Sequence, residues 1–95
     1  MKTTDKEAKV TTNPDGSKTI PLSKSYTLGG EQRGFLTMRE PLVEDQLAMA
    51  EVEGSDAKKE LHLVANLCMV APAELGKLTA RDYRKVQGEL VAFTV

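Results

Sequence analysis

The stretch Asp56 to Val70, DAKKELHLVANLCMV, constrains this chain more than any other. At helical spacing Leu61, Val64, Ala65 and Cys68 make one apolar face, and Leu63, Leu67 and Val70 carry it round the other side. Lys58, Lys59, His62 and Asn66 fall close together in the polar sector that is left. A surface helix needs only one apolar stripe, whereas this one demands cover over more than half of its circumference. It is therefore either the central core helix of a small fold or a helix shared with another subunit or a client. Length sharpens the choice, because a chain of 95 residues buries only about 60 to 65% of the surface its extended form exposes. Few other elements are at hand to wrap such a helix.

Charge and reactive side chains exclude several classes of function. Thirteen basic and fourteen acidic residues leave a formal charge of −1, with no basic excess on an expected helix face. The phosphate-binding footprint of a nucleic-acid protein is missing, so no nucleic acid is expected as partner. No apolar run is long enough to span a bilayer and no signal peptide opens the chain, so no membrane partner is expected and the protein reads as soluble and cytoplasmic. Cys68 is the single cysteine and sits among apolar neighbours, as a small buried hydrophobe does. His62, the single histidine, has no activating context and reads as a solvated helix residue. The carboxylates gather as Glu40, Glu44 and Asp45 at one expected helix start and as Glu51 and Glu53 at its end, where dipole and solvation account for them. Gly29-Gly30 lacks the following lysine and hydroxyl of a phosphate loop. Tyr83 lies between Asp82 and Arg84, but adjacent helix positions face different ways. The expectation is no catalytic residue, no metal, no cofactor and no enzyme.

Taken in order, the chain opens with a polar segment to Lys18 that cannot offset its ordering entropy by burial, so residues 1–18 are expected as a flexible leader. The alternative is a small extra hairpin, Val10-Thr11-Thr12 against Lys18-Thr19-Ile20, turning at Asn13-Pro14-Asp15-Gly16. Residues 19–95 are expected to form the domain. Thr19 to Leu28 alternates, with Ile20, Leu22, Tyr26 and Leu28 on one face and Lys24 interrupting it, and Pro21 marks an edge or a strand start. Gly29-Gly30 supplies a tight turn into a return strand, Glu31 to Arg39, with Leu36 and Met38 on one face and Phe35 on the other. A first helix starts at Pro41 and runs to about Val52, with Val43, Leu47 and Ala50 as its apolar face and Gln46 intruding on it. Ser55 or Asp56 caps the central helix, Pro72 to Gly76 makes one short helical turn, and Thr79-Ala80-Arg81-Asp82 resembles a capping box. Behind that box Tyr83, Val86, Leu90, Val91 and Phe93 share one face of a last helix. The fold class is α+β: a short N-terminal β-hairpin followed by a small bundle of three main helices with one short extra helical turn. The apolar end Phe93-Thr94-Val95 fits a partner contact, a junction at which a longer product continues, or docking into the core.

Several segments in this order resemble the phage tail assembly chaperone family, which includes the E and gp41-type proteins of P2-like and Mu-like phages. They are Leu22-Ser23-Lys24, Leu36-Thr37-Met38-Arg39-Glu40-Pro41 with Asp45 four beyond the proline, the Leu61 to Cys68 helix, Pro72-Ala73-Glu74-Leu75, Leu78-Thr79-Ala80-Arg81-Asp82-Tyr83, then Val86-Gln87 and Phe93. The resemblance implies a non-catalytic protein of the host cytoplasm, absent from the mature virion, that binds the tape measure protein and keeps it soluble until tail tube protein polymerises around it. It also implies that a longer frameshifted form can exist. Apolar surface of the central and last helices then serves partner binding, through Leu63, Leu67, Tyr83, Val86, Leu90 and Phe93. The rival expectation is a small structural or oligomeric adaptor of a phage or prophage tail, a homo-oligomer whose helix seam self-associates.

Overall fold

A computed structural model describes residues 9–94 of the chain. A three-stranded antiparallel sheet in the order β1-β2-β3 comprises β1 (Thr11–Thr12), β2 (Lys18–Leu28) and β3 (Glu31–Met38). Four helices follow: α1 (Val43–Ala50), α2 (Asp56–Cys68), α3 (Pro72–Leu75) and α4 (Ala80–Thr94). The α+β class and the hairpin-then-helices order are as the sequence implies.

The extra hairpin exists. Thr11 pairs with Thr19 and Thr12 with Lys18, while the Asn13 to Gly16 turn closes through Gly16 N–H donating to the Asn13 carbonyl at 2.9 Å. Asp15 Oδ1 accepts from both Ser17 N–H and Ser17 Oγ, at 2.9 and 2.6 Å, and Asn13 Nδ2 donates to Ser17 Oγ and Thr19 Oγ1. These polar side chains fix the turn without a core of their own, which is why composition pointed to a leader instead. Residues 1–8 of that expected leader lie outside the described residues.

The β2–β3 hairpin turns at Gly29 and Gly30, both at positive φ (61° and 84°), as a tight two-residue turn requires. Its register breaks between Pro21 and Tyr26: Pro21 opposes Phe35 and Tyr26 opposes Arg33, so Leu22 to Ser25 face only Gly34. This bulge is what the misplaced Lys24 signals in the sequence. It keeps Ile20, Tyr26 and Leu28 on the inner face with Leu36 and Met38, all of them buried.

The bulge is docked on the start of α4. Asp82, 2% exposed, accepts from Ser23 N–H (3.1 Å), Ser23 Oγ (2.8 Å) and Tyr26 Oη (2.6 Å). Thr79 Oγ1 caps the helix by accepting from Asp82 N–H at 3.1 Å, but Asp82 does not reach back to Thr79 N–H, which donates to Tyr26 Oη at 3.2 Å instead. The expected capping box is thus half formed, because its carboxylate is turned to the sheet. Burial raises the Asp82 carboxyl, and the hydrogen bonds from Tyr26 and Ser23 outweigh it and hold the group below its ordinary value.

Helix α2 lies at the centre, touching β3, α1, α3 and α4. Leu63, Val64, Ala65, Leu67 and Cys68 are all buried, so the core-helix reading of this stretch is the one the fold adopts. Ser55 Oγ caps it by accepting from Lys58 N–H at 3.2 Å. It ends at Met69, whose φ of 59° and ψ of 42° are left-handed, with 81% of the side chain exposed. Leu75 and Leu78 seal the underside of the core.

Candidate functional site

Helix α1 inverts the sequence expectation. It begins at Val43 rather than at Pro41, with Leu42 as N-cap residue. Its expected core face points outward: Val43 is 74% exposed and Leu47 65%, whereas Asp45 is 6% exposed and is the one buried residue of the helix. Asp45 turns the helix this way. Its carboxylate accepts from both Arg39 guanidinium nitrogens at 2.8 Å each, from Leu42 N–H at 2.8 Å and from Asn66 Nδ2 at 3.2 Å. The Arg39 guanidinium is the main reason that the Asp45 carboxyl is held down to about 2. Apolar packing under α1 is thin by comparison, and a hollow of about 170 Å³ lined by Ala48, Met49, Val52, His62 and Leu63 remains beside Asp45 and Asn66. His62 is accordingly half-buried rather than solvated.

Helices α1 and α4 flank α2, and a cleft of about 330 Å³ runs between them. Asp56, Glu60 and Leu63 of α2, at helical spacing, form its floor. One wall is Gln46 and Met49 of α1, the other Leu90, Val91 and Thr94 of α4. Val91 is 57% exposed, and the outward stripe Val43, Leu47 and Ala50 adjoins Gln46 on α1. Glu60 Oε1 accepts from Gln87 Nε2 at 2.7 Å and from Tyr83 Oη at 3.2 Å. The Tyr83 hydroxyl is raised above its ordinary range, first by burial and then by the Glu60 charge. Cys68, pushed up to about 12 by burial, is a packed thiol rather than a nucleophile.

Of the six residues expected to bind a partner, the structure brings only Leu63 and Leu90 to this cleft, each with its edge showing at 7% and 8% exposure. Leu67 and Val86 are wholly enclosed; a partner cannot reach them in this conformation, because the sheet and α4 supply the cover that composition could not promise. Tyr83 is half-buried beside the cleft. Phe93 lies on the sheet side of α4, where Lys18 Nζ stands 4.6 Å from its ring centroid and also pairs with Glu89 at 3.1 Å. Val91, expected on one face with Tyr83, Val86, Leu90 and Phe93, stands outside the buried side of α4. Gln46, Met49, Asp56 and Glu60 also line the cleft, and of these the Gln46 that intrudes on the apolar pattern of α1 is the one with a signal in the sequence.

The cleft holds apolar side chains with acidic groups at its floor and no nucleophile beside a base. Among the described residues no cluster of three metal-ligating side chains occurs, and no helix is long and apolar enough to cross a membrane. The family model described as phage tail assembly chaperone proteins, E, or 41 or 14, matches residues 19–95. No curated protein and no solved structure matches the chain.

Proposed function

We propose that this chain, which belongs to the phage tail assembly chaperone family, binds a helical segment of the tape measure protein in the cleft between α1 and α4 and keeps that client soluble during tail assembly. The observation that carries the reading is the exposed apolar surface at the cleft and its α1 border, Val91 with Val43 and Leu47, beside which Met49, Leu63 and Leu90 show only an edge. An amphipathic helix laid in such a groove buries apolar area from both sides. Fully covering one Val or Leu side chain contributes about 1.5 to 3 kcal/mol, so a few anchors suffice for reversible capture in many copies. No step of this function requires a reacting group: the protein acts by burial and release, without cofactor, in the infected cell, and leaves before the virion matures. Tail tube protein, polymerising around the same client, is the partner that displaces it.

Val91→Asp tests the reading better than a change at Leu90, since Leu90 is buried in the core and Val91 is exposed. Co-expressed with the tape measure protein of the same tail, the wild type is expected to keep the client soluble and to co-purify with it. Val91→Asp places a charge where contact demands desolvation; it is expected to lose both effects while retaining its helical circular dichroism. A client that stays soluble without the chaperone, or a variant that protects as well as wild type, would leave the self-associating tail adaptor as the better account.

A further inference from the structure

The client cleft is electrostatically one-sided. Both charged residues that line it, Asp56 and Glu60, are acidic. Among the described residues the ion pairs are Lys18–Glu89, Arg33–Glu31, Arg39–Asp45 and Lys77–Glu74, and neither cleft carboxylate takes part in one. Glu60 is engaged only by the neutral donors Tyr83 and Gln87. The nearest cation in sequence, Lys59, spends its ammonium on the Ala50 carbonyl at 3.3 Å, at the end of α1. Glu51 and Glu53, in the connection from α1 to α2 that leads to Asp56, are exposed and take part in none of these ion pairs. From Glu40 to Glu60 the chain carries seven acidic and two basic side chains, against fourteen and thirteen overall. The cations of α4 lie elsewhere: Arg81, Arg84 and Lys85 line a separate hollow beside Ser23.

From this complementarity we infer that the cleft selects a basic amphipathic helix: apolar anchors three and four residues apart, flanked by Lys or Arg, in a client segment of two to three turns. The floor from Asp56 to Leu63 spans about 10 Å at 1.5 Å per residue, about two turns, and a third turn carries the flanking cations beyond it. Apolar anchors fill the space between Met49, Leu63, Leu90 and Val91, and the flanking cations reach the floor carboxylates and the acidic α1–α2 connection. An acidic helix with the same anchors meets like charge on the floor and is rejected. The inference rests on the chaperone reading and names the chemistry of the segment bound.

The test uses two labelled alanine-based peptides of about 18 residues with identical leucine anchors, one flanked by lysines and one by glutamates. Fluorescence anisotropy with the full chain in about 0.05 M salt is expected to show the lysine peptide binding at least about fivefold more tightly. The gap should narrow in about 0.5 M salt, where screening shortens the reach of exposed charges. The double variant Asp56→Asn with Glu60→Gln keeps the acceptors for Tyr83 and Gln87 and removes both charges; it is expected to lower affinity for the lysine peptide by about two- to fivefold per charge. Equal binding of the two peptides, tighter binding of the glutamate peptide, binding of neither, or an unchanged double variant would overturn the inference. Should the double variant not fold, the wild-type comparison of peptides and salt decides alone. Co-expression separates the two levels: a wild type that protects its client while showing no charge preference removes this inference and leaves the chaperone reading in place.

Discussion

Asp45→Asn is the most informative single substitution in this fold, because the seat of α1 depends on that carboxylate more than on apolar contact. The folded group titrates at about 2 against 3.8 for the free side chain. At about 1.4 kcal/mol per pH unit this gap corresponds to about 2 kcal/mol. Arg39 is 38% exposed, and solvent screening of the pair brings the expected loss to about 1 to 2 kcal/mol. The loss bears on every opening that releases α1, so amide protection of Leu47 to Ala50 should fall by about 5- to 30-fold, and the urea midpoint should drop with it. The pH dependence has a definite sign. A folded carboxyl lowered below its unfolded value stabilises above about pH 4, and that stabilisation is lost as pH falls through the folded value of about 2. The difference between wild type and Asp45→Asn should therefore be full at pH 6, shrink between pH 4 and 2, and vanish below. Hydrogen exchange at pH 6, with urea titrations across the acid range, measures both quantities. A variant whose α1 amides are as well protected as wild type, or a stability difference that persists undiminished below pH 2, would refute the argument that this ion pair orients α1.

Asp82→Ala removes the acceptor shared by Ser23 N–H, Ser23 Oγ and Tyr26 Oη, of which Tyr26 Oη keeps Thr79, so a urea midpoint corresponding to a loss of about 2 to 3 kcal/mol is expected, with the Leu22 to Ser25 bulge loosening first in hydrogen exchange. Met69→Gly relieves a left-handed residue at an exposed helix end and should stabilise by about 1 kcal/mol in the same titration; a destabilised variant would show that the Met69 side chain holds a contact despite its exposure. Gly88 is an exposed helical position where an added Cβ meets nothing within 4 Å, so Gly88→Ala should raise the thermal midpoint, by an amount corresponding to about 1 kcal/mol.

What the sequence determined by itself is local. Two glycines between alternating strands make a tight turn wherever the chain goes, Ser55 caps the residues directly after it, and Pro72 and Gly76 bound one helical turn; each rests on atoms within about four residues of one another. The apolar arc of Leu61 to Cys68, more than half of the circumference, likewise marked α2 as a helix to be covered, and left open whether the cover is the chain's own core or a partner. Only the tertiary structure decided which way the other elements face. The apolar pattern of α1 argued for Val43 and Leu47 inside, yet an eight-residue helix with few apolar contacts to gain is turned by a bidentate ion pair to Arg39 and a hydrogen bond from Asn66, 21 residues away. Asp82 left a local capping role for Ser23, 59 residues distant, and Val91 was separated from the buried side of α4 by where β2 and α2 happen to press on it. Periodicity counts apolar residues and assumes they point inward; a buried carboxylate with several charge-assisted donors outweighs that assumption on a short helix, and although Arg39 and Leu42 lie within six residues of Asp45, a pattern of apolar residues gives their donors no weight and does not contain Asn66 at all.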